Sequence, residues 1–370
     1  MLIKNGTAFI DGSFVRADVR IENGHITHVG DLTAKDGEDV RDVTGMYVLP
    51  GFVDIHIHAF GGADCMRGEE DVRRMSSGLL ETGVAAFVPT TMSAYKDETH
   101  AALESISAVM ARPQERGAAV LGAHMEAPFL NVAYKGAQLG ECLLAPSVEA
   151  YEEMVGGLDC VRMMTLAPEL EGALELIAYL KERGVVTCAA HTKAKAADIH
   201  AAADAGLTQI THLFNAQTPL HHREPGVPGA GLADDRILVQ VIADGIHLHP
   251  DILRISGLCK GARGVALISD SMEAAGLPDG EYDLGGQAVY VRGGAARLAS
   301  GVLAGSTLLM HQAVKNMITL AKLPPETVIP MATSTPADSV GAKGYGRIEP
   351  GAAGVLALMD SEWNFAGVIA

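Results

Sequence analysis

Histidines and carboxylates close a succession of short apolar runs along this 370-residue chain. The segments are Asp54-Ile55-His56-Ile57-His58, His124-Met125-Glu126, a run ending at His191, Thr211-His212-Leu213-Phe214-Asn215, Asp244-Gly245-Ile246-His247-Leu248-His249 and Ser269-Asp270-Ser271. Imidazole and carboxylate together suit divalent transition-metal ions. A carboxylate beside such an ion can carry a proton between water and a leaving group. Alternate residues of a strand share a face, so His56 and His58 point the same way. Taken singly, each histidine reads more simply as a hydrogen-bonded core residue. Their recurrence at the ends of six runs is not what packing produces, because core positions favour apolar side chains. The chemistry they suggest is metal-assisted hydrolysis.

The elements that must position these groups alternate. Strands are expected at Val48–His58, Ala85–Thr90, Ala119–Glu126, Val161–Ala167, Val185–His191, Gln209–Asn215, Leu238–Ala243 and Val265–Ser269. Helices are expected at Glu70–Thr82, Glu98–Ala111, Val148–Val155, Leu170–Arg183, Ala194–Ala205, Pro250–Gly257 and Ser306–Ala321. Eight strands with intervening helices predict an α/β fold, a (β/α)8 TIM-like barrel whose C-terminal strand ends gather the polar residues. A doubly wound open sheet is the alternative; the strand count and the polar strand ends favour the barrel. Before Met46 the chain is β-rich, at Leu2–Lys4, Ala8–Ile10, Asp18–Glu22 and His25–Val29, with Asn5-Gly6, Asp11-Gly12 and Asn23-Gly24 as turns. Tyr282 to Ala299 reads as a hairpin inserted after the eighth strand, and β character returns at Val355–Met359 and Phe365–Ala370. The expected division is therefore a small β-sandwich domain of residues 1–48 and 344–370, built from both termini, and a barrel of residues 49–343.

Composition narrows the partners. Hydrophobic residues make up 48% of the chain and aromatics 5%, which suits helices packed closely on a parallel sheet. A formal net charge of -17 argues against nucleic acid, whose binding depends on Lys and Arg, but a local cationic pocket could still hold one anionic group. The five cysteines are scattered without CxxC spacing, as expected of reduced thiols in a cytoplasmic protein. The first residues lack a signal-peptide pattern, and no apolar run reaches membrane-spanning length.

The motifs also carry a resemblance. His56-x-His58 after Pro50-Gly51-Phe52-Val53-Asp54 looks like the first-strand signature of the amidohydrolase superfamily. Dihydroorotase-like and hydantoinase-like members place a lysine at the end of strand four, and Cys160–Glu169 has none. Instead His124-Met125-Glu126-Ala127-Pro128-Phe129 resembles the H-x-E-G-P-[FYW] segment of the N-acetylglucosamine-6-phosphate deacetylase family, and Thr211 to Ala216 resembles its T-H-L-[FY]-N-A segment. Arg223-Glu224-Pro225-Gly226, Asp244-Gly245-Ile246-His247, Leu267-Ile268-Ser269-Asp270 and Leu303-Ala304-Gly305-Ser306-Thr307-Leu308 follow in the family's order. The similarity covers nearly the whole chain. Three positions depart from it: Ala127 where glycine is usual, Gln217 where methionine is common, and Gly354 where the tail often has aspartate. Ala127, beside the glutamate, could alter substrate preference; the other two have no evident chemistry.

The resemblance implies roles. Glu126, His191 and His212 would hold a divalent ion, zinc first, with iron or manganese as alternatives. His56 and His58 would complete a second site bridged by Glu126, or hydrogen-bond beside a single ion. Asp270 would be the general base and then acid as metal-activated water attacks an acetamide, unless it is only an N-cap. His247 or the metal would stabilise the developing oxyanion. Ala137, Asn215, Ala216, His247, Leu303, Ala304 and Gly305 would contact an amino-sugar phosphate. Arg223 would take its phosphate, unless it is a solvated surface charge. A homodimer belongs to the same expectation. The competing readings are another amidohydrolase, such as an N-acetylgalactosamine-6-phosphate deacetylase, an N-acyl amino acid hydrolase or a deaminase, and a non-catalytic scaffold, which should have lost ligands.

Overall fold

The computed structural model describes residues 1–370. Its centre is a parallel sheet whose strands follow chain order: β1 (Phe52–Ile57), β2 (Val84–Thr91), β3 (Ala123–Met125), β4 (Val161–Leu166), β5 (Val186–Ala189), β6 (Gln209–Ile210), β7 (Leu238–Ile242) and β8 (Val265–Ile268). Each pairs in parallel with the next, from β1 with β2 through to β7 with β8. The sheet curls until β8 reaches β1, but no ladder joins these two strands. Asp54 on β1 replaces it, accepting from the Ser269 backbone at 3.3 Å and the Ser269 hydroxyl at 2.5 Å. The Asp270 amide also donates to the His56 carbonyl at 2.9 Å. The His58 and Ala59 amides donate to the Ser271 carbonyl at 3.1 and 3.0 Å, so irregular backbone bonds and the Asp54 carboxylate together close this seam.

Helices alternate with the strands: α1 (Glu69–Glu81), α2 (Lys96–Ala111), α3 (Val148–Val155), α4 (Ala173–Glu182), α5 (Ala196–Ala205), α6 (Gly226–Ala233), α7 (Pro250–Gly264) and α8 (Met310–Thr319). Their local signals are ordinary. In α1 the first turn is acidic (Glu69, Glu70, Asp71), complementing the helix dipole. Its buried Val72, Met75, Ser76, Leu79 and Leu80 fall on one stripe. Ser147 caps α3 by accepting from the Ala150 amide at 3.1 Å, and Gly156 ends it in the left-handed conformation.

The terminal segments form two further sheets. One contains Leu2–Lys4, Asp18–Glu22, His25–Gly30 and Val40–Asp42; the other pairs Thr7–Ile10, Ser13–Arg16 and Tyr47–Pro50 with Leu356–Met359 and Phe365–Ile369 from the tail. They share a core that includes Ile3, Val19, Ile26, Val48, Leu356 and Ile369. Gly354 sits where a Cβ would lie 2.5 Å from Ile21 Cγ2, so close approach explains the missing side chain there.

Several expected boundaries move. The single strand Val48–His58 is two, because Gly51 passes so near Ala85 that a Cβ would lie 2.6 Å from that methyl. Residues to its N-terminal side pair with the terminal sheet, and those to its C-terminal side with the barrel. Residues 119–126 break into Ala119–Val120 and Ala123–Met125 at Gly122, whose φ is 145°. The run Gln209–Asn215 keeps only Gln209–Ile210 as strand, since His212, Phe214 and Ala216 all take positive φ. The inserted hairpin is a three-stranded meander, Gly280–Leu284, Gln287–Arg292 and Ala295–Leu298, lying over the C-terminal end of the barrel. No helix is long and apolar enough to cross a membrane.

Candidate metal centre

The C-terminal strand ends bring five ligand-type residues into two overlapping sets: His56, His58 and Glu126, and Glu126, His191 and His212. Within each set the ligand atoms lie within 4.8 Å of one another, and all are buried. Glu126 Oε1 is 2.9 Å from His212 Nε2 and 3.1 Å from His191 Nε2. His58 Nε2 lies 3.4 Å from Glu126 Oε2, and His56 Nε2 lies 3.7 Å from Oε1. Asp270 Oδ1 is 3.2 Å from His58 Nε2 and 3.4 Å from His56 Nε2.

The backbone is bent to achieve this convergence. His191, His212 and Asp270 have φ of 47°, 33° and 48°, a region that non-glycine residues enter only when their surroundings hold them there. His191 is gripped from two sides. Its carbonyl accepts from the Asn131 amide at 2.8 Å, and its Nδ1 faces the Tyr134 carbonyl at 3.0 Å. Glu169 accepts from Asn131 Nδ2 at 2.9 Å, the Lys193 amide at 2.6 Å and the Thr192 hydroxyl, tying together the loops on both sides. Gln217 spans the turn carrying His212, accepting from the Phe214 amide at 3.0 Å and donating to the Thr211 carbonyl at 2.8 Å.

Three observations fit these residues to a cation. His58 Nδ1 faces the Thr90 carbonyl at 2.9 Å, as His191 Nδ1 faces that of Tyr134. A neutral imidazole that donates from Nδ1 presents a bare lone pair at Nε2. Each of these Nε2 atoms meets that of a second histidine, His58 with His56 at 3.3 Å and His191 with His212 at 3.1 Å, and two bare lone pairs so close repel unless positive charge lies between them. The electrostatics agree. Burial alone would push Glu126 and Asp270 up, but the histidines outweigh it and hold both carboxyls well below their ordinary range. Burial would likewise push His58 down, yet Asp270 and Glu126 raise it to about 9. The centre therefore favours positive charge, as an ion site should.

A cavity of about 340 Å³ opens above the centre. His58, Glu126, His191, His212, His247 and Asp270 line it, together with Ala137, Asn215, Ala216, Leu303 and Gly305. His56 is fully buried beneath it, and Ala304 is buried outside the lining. Arg223 also stands outside: it is exposed, with Nη1 2.8 Å from His222 Nε2. No lysine or arginine lines the cavity. His247 Nδ1 contacts Asp244 Oδ2 at 2.6 Å, leaving Nε2 available to a bound molecule.

Sequence reasoning missed Met92, Tyr134, Gln138, Leu284 and Val302, which also line the cavity. Leu284 lies on the inserted meander, whose roofing role only the fold reveals. Gln138, next to the expected contact Ala137, carried the one readable signal: a polar side chain in a segment otherwise expected to touch a ligand.

Known proteins resemble this chain in sequence and fold. A profile of the family described as "Amidohydrolase family" matches residues 47–368. The chain is 38% identical over 317 residues to an Escherichia coli O157:H7 protein named N-acetylgalactosamine-6-phosphate deacetylase, spanning 85% of this chain and 84% of that one. It is 39% identical over 307 residues to the N-acetylglucosamine-6-phosphate deacetylase of Bacillus subtilis strain 168, spanning 81% of this chain and 77% of the relative. Among solved structures, the Mycobacterium smegmatis N-acetyl-D-glucosamine-6-phosphate deacetylase superposes with a TM-score of 0.92 at 30% identity, covering 100% of this chain and 98% of that one.

Proposed function

The chain belongs to the amidohydrolase family, and on that premise we propose that it hydrolyses the acetamide of N-acetylglucosamine-6-phosphate to glucosamine-6-phosphate and acetate. The observation that carries this reading is one buried glutamate, Glu126, shared by two histidine pairs, with Asp270 in contact with one of them at the cavity floor.

Divalent ions, zinc first, held by Glu126, His191 and His212 and by His56, His58 and Glu126, would supply Lewis acidity that acidifies water and polarises the acetyl carbonyl. Asp270 is the proton carrier. It is ionised in its histidine surroundings, so it can accept a proton from the attacking water. It then delivers that proton to the amine nitrogen, which leaves poorly without one. His247, fixed through Nδ1 by Asp244, turns Nε2 toward the bound substrate and the oxygen that gains charge. Ala137, Asn215, Ala216, Leu303, Ala304 and Gly305 shape the sugar site. Arg223 takes the phosphate, approaching from the rim or across a homodimer contact, because no lysine or arginine lines the cavity itself.

The 38% identity to an N-acetylgalactosamine-6-phosphate deacetylase supports a second reading, in which the C4 epimer is the better substrate. Acetate release from both phosphorylated sugars, with unphosphorylated N-acetylglucosamine as comparator, separates the two. Release from none of the three would overturn both readings.

A further inference from the structure

Glu126 is the only residue common to both ligand sets, and its second oxygen is turned toward His58. Oε1 lies 2.9 and 3.1 Å from His212 and His191 Nε2 and 3.7 Å from His56 Nε2, while Oε2 lies 3.4 Å from His58 Nε2. That orientation is not intrinsic to a glutamate. The terminal carboxyl torsion is broad and turns cheaply, so a neighbour must fix it. The neighbour is Gln138, whose Nε2 donates to Glu126 Oε2 at 2.7 Å. Gln138 is only 2% exposed, and its amide cannot be reversed, because its Oε1 accepts from the Ser93 backbone at 2.7 Å. The anchor is itself held, since the Leu139 amide donates to the Ser93 hydroxyl at 2.5 Å.

The residue type matters. A lysine or arginine at this place would set a fixed positive charge against an ion, and an apolar side chain would leave Oε2 free to swing. A neutral amide donor orients the carboxylate without competing for the site. We propose that Gln138 is a positioning residue that holds Glu126 Oε2 toward His58 and so sets the affinity of the second cation site. This rests on the two-ion reading of Glu126 given above.

Gln138→Met removes the donor at nearly constant length and volume. Gln138→Asn keeps an amide but shortens its reach, and it serves if the methionine is not accommodated. The metal-free parent and both variants are titrated with Mn²⁺ by calorimetry, and the spectrum of the loaded protein is recorded by electron paramagnetic resonance. The parent is expected to bind two ions and give the signal of a spin-coupled pair. In either variant the second ion should bind ~10–100-fold more weakly, the range usual for residues that support metal ligands, and an isolated-ion signal should dominate at two equivalents. The first site should change less. A parent that binds two ions, with variants that match it in stoichiometry, affinity and spectrum, overturns the role of Gln138 alone. A parent that binds one ion or none overturns the two-ion reading and this inference together.

Discussion

Asp270 shows how much a single residue depends on its setting. Its φ of 48° is strained, and its amide is fixed to the His56 carbonyl at 2.9 Å while its carbonyl accepts from the Ser306 amide at 2.7 Å. Asp270→Asn keeps that backbone and the side-chain shape but removes the proton carrier. It should lower kcat by ~10²–10⁴-fold, with metal content by atomic absorption unchanged. Near-parental turnover would reduce Asp270 to a structural turn residue. Arg223 is tested by a contrast. Loss of a charged hydrogen-bond partner costs about 1.5–3 kcal/mol, or roughly ten- to 150-fold. Arg223→Ala should therefore raise KM for the phosphorylated sugar by that factor and leave the unphosphorylated sugar nearly unaffected. Equal losses on both would make it a loop support. The ligand types were legible because buried imidazole and carboxylate have few other uses. Gln217 was not, because its value lies in bonds to the Phe214 amide and the Thr211 carbonyl that only the folded turn creates.

At the level of elements, the alternation of strand and helix was readable because apolar runs and amphipathic stripes are imposed by burial on both faces of a parallel sheet. Helix α6, Gly226–Ala233, was not, since its sequence contains three glycines and a proline and its helicity comes from packing. Tertiary context also decided the fate of Gln209–Asn215, whose apolar pattern reads as strand although His212 must turn inward. The join between barrel and terminal sheets offers a pH test. His311 on α8 stacks on Phe365 of the last strand, with ring centroids 4.6 Å apart and planes 13° from parallel. Burial pushes its pKa down to about 4, below the ordinary value of 6.5. The folded state thus prefers the neutral ring, while the unfolded chain takes up a proton first. The contribution is complete above pH 6.5 and is lost as pH falls toward 4. At about 1.4 kcal/mol per pH unit, some 3–4 kcal/mol should be at stake. His311→Leu should lack this loss, so the stability gap between parent and variant, from urea unfolding, should be flat above pH 6.5 and slope below it. A gap independent of pH would show that the ring is not desolvated.

The whole molecule carries a formal net charge of -17, with two carboxylates and four histidines packed at one end of its barrel. An ion gathers ligands that the unfolded chain keeps apart, so ion binding and stability are linked. Ions bind the assembled centre far better than the unfolded chain. A free-ion concentration 100-fold above Kd should stabilise the protein by about 2.7 kcal/mol per site. Calorimetric melting should fall to lower temperature with chelator and recover on adding a divalent transition metal. Melting unaffected by either would separate the centre from the fold, and full deacetylation by a metal-free preparation would remove the ion from the chemistry.

The seam between β8 and β1 has a kinetic meaning as well. Asp54 and Ser269, which help to fasten it, adjoin the ligand His56 and the proton carrier Asp270, so the catalytic apparatus doubles as part of the clasp of the barrel. Seven strand pairs share backbone ladders, and this junction does not. Partial opening should begin here, and its first casualty would be turnover. In mild urea, activity should disappear before far-ultraviolet dichroism changes. Amides at 269–271 should exchange with deuterium sooner than those of Leu238–Ile242, where β7 is paired on both sides. Coincident loss of activity and dichroism, with uniform exchange, would mean that the clasp is as firm as any ladder.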